Sequence, residues 1–446
     1  MTVEGSIFHP DYQREPFWWE AARPGTAQSQ DLPSRTGVLV VGSGYAGLAA
    51  ALELKRGGAD VTVVEALAFG EGASSRSGGG VSAGINLGKG IAGTPGQERQ
   101  GEAHKRLVEG LMRESLAAYE LVKTLIAREG IACHFEERGR FVGAYTQAHF
   151  SGLQEKADRL NDLIGLEASV VERHAQRSEI GSDFYHGGLV IKRAGKLHPA
   201  LYHKGLLEAC DEAGVRLCAN TRVEKIAGAE GRFTVTTSRG PCQADHVVIA
   251  TNAYTGPLQP KLSRRIVPIS SQIIVTEELP EDLARELIPN GRTISETPRV
   301  TSYYRLLPGD RRVMYGGRAR FQDVPADVSA ALLYEMMIAR WPQLRGTRIT
   351  HSWSGLVAMT TDSLPHMGFK DGIHYCLGCN GSGIAMMTYL GNRIGRRILD
   401  EGRTDSAYAD LALPAVPVPF YRGRPWFLPI VGEYYRYLDR RDRRAG

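Results

Sequence analysis

Residues 38–47 read VLVVGSGYAG, and residues 60–65 read DVTVVE. The apolar run 38–41 reads as a buried parallel strand, LAAALELKRGG (48–58) as a helix ending in glycines, and DVTVVE as a second strand ending in an acid. Together they form a βαβ unit with G-x-G-x-x-G at Gly42, Gly44 and Gly47. Glu65 stands about 20 residues beyond the glycines, where a ribose hydroxyl needs an acceptor. Gly42 permits the tight turn, Gly44 a close backbone approach to a pyrophosphate, and Gly47 close helix–strand packing. The helix N-terminus offers free N–H groups to phosphates. An acid at 65 repels a 2′-phosphate, which disfavours an NADP-type ligand.

The chain has 446 residues, enough for two or three domains. A hydrophobic content of 42% with 23% charged residues is that of a globular protein, not a disordered or fibrous one. A net charge of +5 on this length does not indicate a nucleic-acid partner. The terminal stretch YYRYLDRRDRRAG (434–446) interleaves arginine with aspartate and reads as a solvated end. The N-terminus has no basic start, apolar core or small-residue cleavage site, so no secretory signal is expected. No span is apolar enough to cross a membrane. The six dispersed cysteines suit a reducing compartment, and a cytoplasmic location is expected. Cys376 and Cys379 lack a second pair and read as ordinary strand and turn residues.

Downstream, 69–88 is dense in Gly and Ser, which lets backbone pass close to a flat or phosphorylated ligand. Helical patterns follow at 101–129 and near 150–165, with a hairpin expected at 133–145 between them. Residues 188–226 read strand, turn, helix, strand, and 232–255 a hairpin with a buried strand. Strands are expected at 264–276, 300–307 and 311–317, and helices near 280–288 and 327–341. Residues 372–399 read strand, glycine turn, helix. The expected fold is α/β: a discontinuous Rossmann-type nucleotide domain (36–95, 187–263 and 345–402) alternating with an α+β substrate domain (96–186 and 264–344) that holds a large mixed sheet. An N-terminal arm (1–35) and a C-terminal extension (403–446) flank them. This alternation argues against a simple NAD dehydrogenase, whose nucleotide domain runs continuously.

Five pieces in order, VVGSGYAGLAAALEL…VVE, GASSRSGGG, TRVEKI, VVIATNAYTG, and TTDSLPHMG followed by GCNGSGIAMMTYLG, identify the chain by resemblance. It resembles the D-amino acid oxidase superfamily of FAD-dependent amine oxidoreductases over roughly residues 10–435, and most of all its γ-glutamylputrescine oxidase-like members. The resemblance implies FAD, in a glutathione-reductase-like nucleotide domain. It places Gly42, Ser43, Gly44, Tyr45 and Ala46 on the pyrophosphate and Glu65, followed by Ala66, at the adenosine ribose. Ser74, Ser75, Arg76, Ser77, Gly78, Gly79 and Gly80 would run along the pyrophosphate, ribityl chain and flavin edge. Val223 would meet adenine through its backbone, with Ala250 and Thr251 beside the nucleotide. Gly381, Ser382, Gly383 and Ile384 would open a helix whose N–H groups face the N1–C2=O edge of the flavin and stabilise its reduced anion. Relatives with covalent flavin use a Cys at a position falling near Gly355, or a His absent from 69–88, so dissociable FAD is expected. The lysine that aids oxygen reaction in sarcosine oxidases corresponds in register to Met314.

The implied activity is oxidation of a carboxylate-bearing amine by hydride transfer to flavin N5. The donor is a secondary amine, an N-alkyl amino acid or a γ-glutamyl amine, and the resulting imine hydrolyses. Tyr304, Arg318 and His366 are the substrate-side candidates that the resemblance implies: Tyr304 as a cap over the site or a contact to the amine, Arg318 as a carboxylate clamp, His366 near the flavin. His198 reads as a turn residue before a helix that opens with Pro199. Oxygen is the first-choice acceptor, giving hydrogen peroxide. The alternatives are an amine dehydrogenase passing electrons to a quinone or carrier, and a flavin-binding subunit of a larger complex. A monomer or homodimer without bound metal is expected.

Overall fold

The computed structural model describes residues 6–84, 101–321, 324–400 and 404–445. The end of the Gly/Ser-rich loop and the boundary at 95 lie outside the described residues. Five parallel strands form the centre of the first sheet, in the order Ile373–Leu377, Gly240–Ile249, Arg35–Val41, Val61–Val64 and Arg216–Cys218. They are rich in valine because both faces are covered: Val38, Val40, Val61 and Val63 are all nearly inaccessible. An antiparallel hairpin, Val223–Ala229 with Arg232–Thr237, adds to the first half of Gly240–Ile249, and His366–Lys370 pairs with Ile373–Leu377.

The second sheet has nine strands, in the order Phe8–Gln13, Ile349–Met359, Val267–Thr276, Val313–Gly317, Tyr303–Leu306, Thr293–Glu296, Arg140–Gly143, Gly188–Ile191, Ala168–Val171. Only its first pair and the pair Thr293–Glu296 with Arg140–Gly143 run parallel. Helix Ala326–Arg340 covers one face, burying Leu333, Met337 and Ile338 against Ile274, Val313 and Tyr315. The α/β architecture with a discontinuous nucleotide domain and a mixed-sheet partner is therefore as expected.

Four expectations need correction. Gly188–Ile191 and Ile349–Met359 belong to the nine-stranded sheet, not to the nucleotide domain, because both pair with its strands along their length. Arg140–Gly143 is no hairpin: its partners are Gly188–Ile191 and Thr293–Glu296. The N-terminal arm contributes the edge strand Phe8–Gln13. The terminal stretch is a docked helix, Leu428–Ala445, whose buried Asp439 accepts from the backbone N–H groups of Arg299 and Val300 at 3.1 and 3.0 Å and from the Arg299 guanidinium at 3.1 Å. Among the described residues no helix is long and apolar enough to cross a membrane.

Candidate cofactor and substrate site

The glycine turn is built by close approach. Gly42 has φ +104°, and a Cβ there would lie 3.0 Å from the Ala250 carbonyl. A Cβ on Gly47 would lie 1.8 Å from the Gly42 carbonyl, so only glycine lets the helix start where it does. Gly44 caps helix Tyr45–Arg56, leaving the N–H groups of its first turn without intrahelical acceptors. The Glu65 carboxylate is already engaged: Ser43 donates its N–H and hydroxyl to one oxygen at 3.0 and 2.9 Å, and Leu67 N–H donates to the other at 3.2 Å. Of its roughly four acceptor positions one remains for a ribose hydroxyl. Both Ser43 donors are thus engaged by Glu65. Buried His203 donates from Nε2 to the Ser43 carbonyl at 2.7 Å and fixes the turn from below.

Tyr45 also faces inward. Its hydroxyl donates to the carbonyls of Ser74 and Pro199 at 2.6 and 3.0 Å, and its N–H reaches the Ser74 hydroxyl at 3.2 Å. The glycine turn and the 73–80 segment are thereby one unit. That segment is held by tryptophans from distant parts of the chain. Trp18 donates to the Ser77 carbonyl at 2.9 Å, Trp19 to the Ser75 hydroxyl at 2.9 Å, and Trp353 to the Arg76 carbonyl at 2.8 Å. Arg76 stacks 4.4 Å over the Trp19 ring and donates to the carbonyls of Glu71 and Ser354. Buried Arg305 donates to the carbonyls of Gly79 and Leu197 at 3.1 and 3.0 Å, while its Nε and Nη2 have no partner among the described residues. The N-terminal tryptophans and Arg305 were not legible as site residues, because nothing local in FWWE or YYRL marks a contact more than 50 residues away in sequence.

At the other end, a turn at Gly381 (φ +90°) leads into a π-helical turn Gly383–Met387 and then helix Thr388–Leu399. A Cβ at Gly381 would meet nothing within 4 Å, so its backbone borders open space. A Cβ on Gly391 would lie 2.0 Å from the Ala46 carbonyl, which seats this helix directly on the one that follows the glycine turn. Thr251 meets the same turn, its methyl 3.5 Å from where a Gly42 Cβ would be. Free N–H groups at two helix starts, an acid closing the strand after the glycine turn and the open backbone at Gly381 fit FAD.

On the substrate side the structure separates the three candidates. The pleat turns Tyr303 toward the 73–80 segment, its ring 2.7 Å from where a Gly78 Cβ would be, with Met314 Cε at 3.2 Å from the same point. Tyr304 points the opposite way, into a core with Tyr315 stacked 5.2 Å away and with Tyr185, Glu296 and Arg340. It faces away from the 73–80 segment, which the adjacent Tyr303 meets, with its hydroxyl 3.0 Å from the Ser271 hydroxyl. His366 is fully buried, and Nε2 contacts Asp362 at 3.0 Å. Burial alone would raise Asp362; the hydrogen bond and charge of His366 outweigh it and leave its pKa lowered. Arg318 follows strand Val313–Gly317, with Nη2 3.7 Å from Met359 Sδ. Burial pulls its pKa down, Tyr303, Tyr435 and Cys379 pull it up, and among the described residues no carboxylate neutralises it. Gly355, at the register where relatives carry an attachment cysteine, lies against Arg76: a Cβ there would be 3.3 Å from the Arg76 Cβ.

Residues 37–397 match the profile of the family described as FAD dependent oxidoreductase (DAO). The chain is 31% identical over 411 residues to gamma-glutamylputrescine oxidoreductase of Escherichia coli K12, covering 91% of this chain and 92% of that one. It is 22% identical over 375 residues to glycine oxidase of Bacillus licheniformis, covering 82% and 93%. Among solved structures, glycine oxidase from Geobacillus kaustophilus superposes with a TM-score of 0.69 at 20% identity, covering 86% of this chain and 100% of that one. L-proline dehydrogenase from P. horikoshii gives 0.67 at 19%, covering 84% and 96%.

Proposed function

Because the chain belongs to the DAO family of FAD-dependent oxidoreductases and acts on amines or amino acids with FAD as cofactor, we propose that its substrate is an amine carrying a carboxylate, oxidised to an imine that water splits. The observation that supports this is Arg318: a partly buried guanidinium near Tyr303, with no acid to answer it among the described residues. A half-buried cation without a counter-ion is open to pairing with an anionic ligand. The proposed clamp holds the carboxylate through two parallel charge-assisted hydrogen bonds, which fix the distance of the amine C–H from the glycine cradle.

Burial keeps Tyr303 a neutral phenol despite the lowering effect of Ser271 and Arg318, so it serves as a donor or acceptor to the amine without carrying charge. The flavin, when bound, supplies the hydride acceptor at N5. The backbone N–H groups at Gly383 and Ile384, which open the helical turn, would offer donors to the ring system if it were bound there. Substrate enters as the free amine, and no side chain is assigned as a strong base.

Oxygen is proposed as acceptor, and Met314 favours a second reading. It stands beneath Gly78 where a lysine would assist oxygen, and it carries no charge. Reoxidation of the reduced enzyme in air, against reoxidation by a soluble quinone, decides between oxidase and dehydrogenase.

The substrate proposal is tested by flavin bleaching without air, using N-alkyl amino acids, γ-glutamyl amines, polyamines and esters of the best acid. Arg318→Lys should raise the amine concentration for half-maximal bleaching roughly tenfold, about 1.4 kcal/mol, with the bound-flavin spectrum unchanged. Esters bleaching the wild-type enzyme as fast as the free acid would remove the carboxylate requirement.

A further inference from the structure

Toward the end of the parallel sheet away from the glycine turns, two histidines and a glutamate converge. Val248 pairs with His374 across parallel strands, and His246, two residues before Val248, projects from the same face. The hairpin turn after Val223–Ala229 brings Glu230 over this pair. Gly231 N–H donates to the Asp245 carbonyl at 2.8 Å, and Gly372, at φ +80°, leaves room for the Glu230 amide, which would be 3.2 Å from a Cβ there.

His246 Nδ1 lies 3.4 Å from a Glu230 carboxylate oxygen, and the two imidazole centroids are 6.1 Å apart. One ligand atom from each of the three side chains lies within 4.8 Å of the other two. The Nδ1 atoms of both rings are buried without a hydrogen-bond partner. His374 is 3% exposed, so its orphaned nitrogen is not answered by bulk water. The neighbouring cation Arg397 is neutralised by Asp410 at 2.8 Å.

We propose that Glu230, His246 and His374 form a site for a Zn²⁺ ion, with water completing a tetrahedron. Two imidazoles and one carboxylate are a zinc donor set, and three protein ligands leave a fourth position open. Zn–N and Zn–O bonds near 2.0–2.2 Å require donor separations of about 3.4 Å. The closure falls to the two more exposed partners: the Glu230 side chain is 48% exposed and that of His246 32%, whereas His374 is fixed in the interior. The ion would staple the hairpin bearing Val223 to the parallel strands. It would lie away from the oxidation centre and take no part in the redox step.

The experiment uses the full-length, FAD-loaded, tag-free enzyme, dialysed against a chelator and titrated calorimetrically with Zn²⁺. Co²⁺ serves as a visible probe of tetrahedral geometry. One equivalent of Zn²⁺ should bind, raise the melting temperature and leave the flavin spectrum unchanged. Glu230→Gln and His246→Asn, both at partly exposed positions, should each weaken binding at least roughly tenfold while the metal-free proteins melt as wild type does. Failure to take up one equivalent at roughly 100 µM Zn²⁺ overturns the site. So does undiminished binding in both variants, which would assign the ion to other histidines.

Discussion

Tyr303 and Tyr304 are consecutive in sequence and occupy different worlds in the fold. Identity alone does not tell which of two adjacent aromatics faces a ligand, since side chains alternate and a one-residue slip exchanges the faces. A signal existed: Gly316 stands opposite Tyr303, and a Cβ there would lie 2.3 Å from its ring, so YGG on one strand makes room for an aromatic on the next. Tyr304 instead shares Glu296 with Tyr185 and with Arg340, which binds both carboxylate oxygens at 2.8 and 2.9 Å. Tyr303→Phe is expected to shift the amine concentration for half-maximal flavin reduction about fivefold, roughly 1 kcal/mol, whereas Tyr304→Phe should leave it unchanged and lower stability by a similar amount. Anaerobic titration with thermal melting of both variants checks this; the opposite pattern would return Tyr304 to the substrate. The sequence shows Glu65 as an acid closing a strand after a glycine turn, which is the basis for proposing it at a ribose. That Ser43 would spend both its donors on that acid was not legible, since the sequence carries no side-chain directions.

Helices resist or yield to reading according to where their partners lie. Glu102–Arg128 and Ala326–Arg340 show their apolar stripes locally and are legible nearly to the residue. The terminal helix reads as solvated because the arginine that satisfies Asp439 is Arg299, far away in sequence. Gly391 is decisive at this scale: a methyl there collides with the Ala46 backbone, which has no flexible end to give way. Gly391→Ala should therefore cost at least the roughly 1–3 kcal/mol of an overpacked contact and weaken FAD retention, since both helix starts move apart. Loss of flavin on gel filtration, with a lower melting temperature, is the expected result; a yellow variant of unchanged stability would contradict it. Helix Pro199–Glu212 offers a pH test. His198 caps it by accepting the Leu201 N–H at Nδ1, 3.2 Å away, and burial, then Arg305 and His134, hold its pKa down at about 4. The unfolded chain protonates the same ring near 6.5, so the folded form is favoured fully above that pH and loses the advantage as pH falls toward 4. The contribution is about 3 kcal/mol at most. His198→Asn keeps a capping oxygen and should flatten the fall in melting temperature between those two pH values; an unaltered slope would assign it to other groups.

At the scale of the whole molecule, the interleaving of two sheets along the chain was legible, while the exact crossings were not. Gly188–Ile191 and Ile349–Met359 are apolar strands that would suit either sheet, and only their partners assign them. The same tightly knit cleft bears on how the cofactor is held. Residues 69–84 contain neither His nor Cys, and Gly355 has no side chain to attach, so acid or heat precipitation should release FAD into the supernatant. A yellow pellet would overturn non-covalent binding. The segment at 73–80 is gripped by Trp18 and Trp19 from one end of the chain and by Trp353 from near the other, and the glycine turn rests on Gly391. This weave has a consequence for biosynthesis. The nucleotide fingerprint is synthesised well before helix Thr388–Leu399, which seats it, a delay of roughly tens of seconds at about 5–20 residues per second. A nascent chain that has not yet made that helix cannot close the site, so the fingerprint alone, although complete, has nothing to hold a flavin in place.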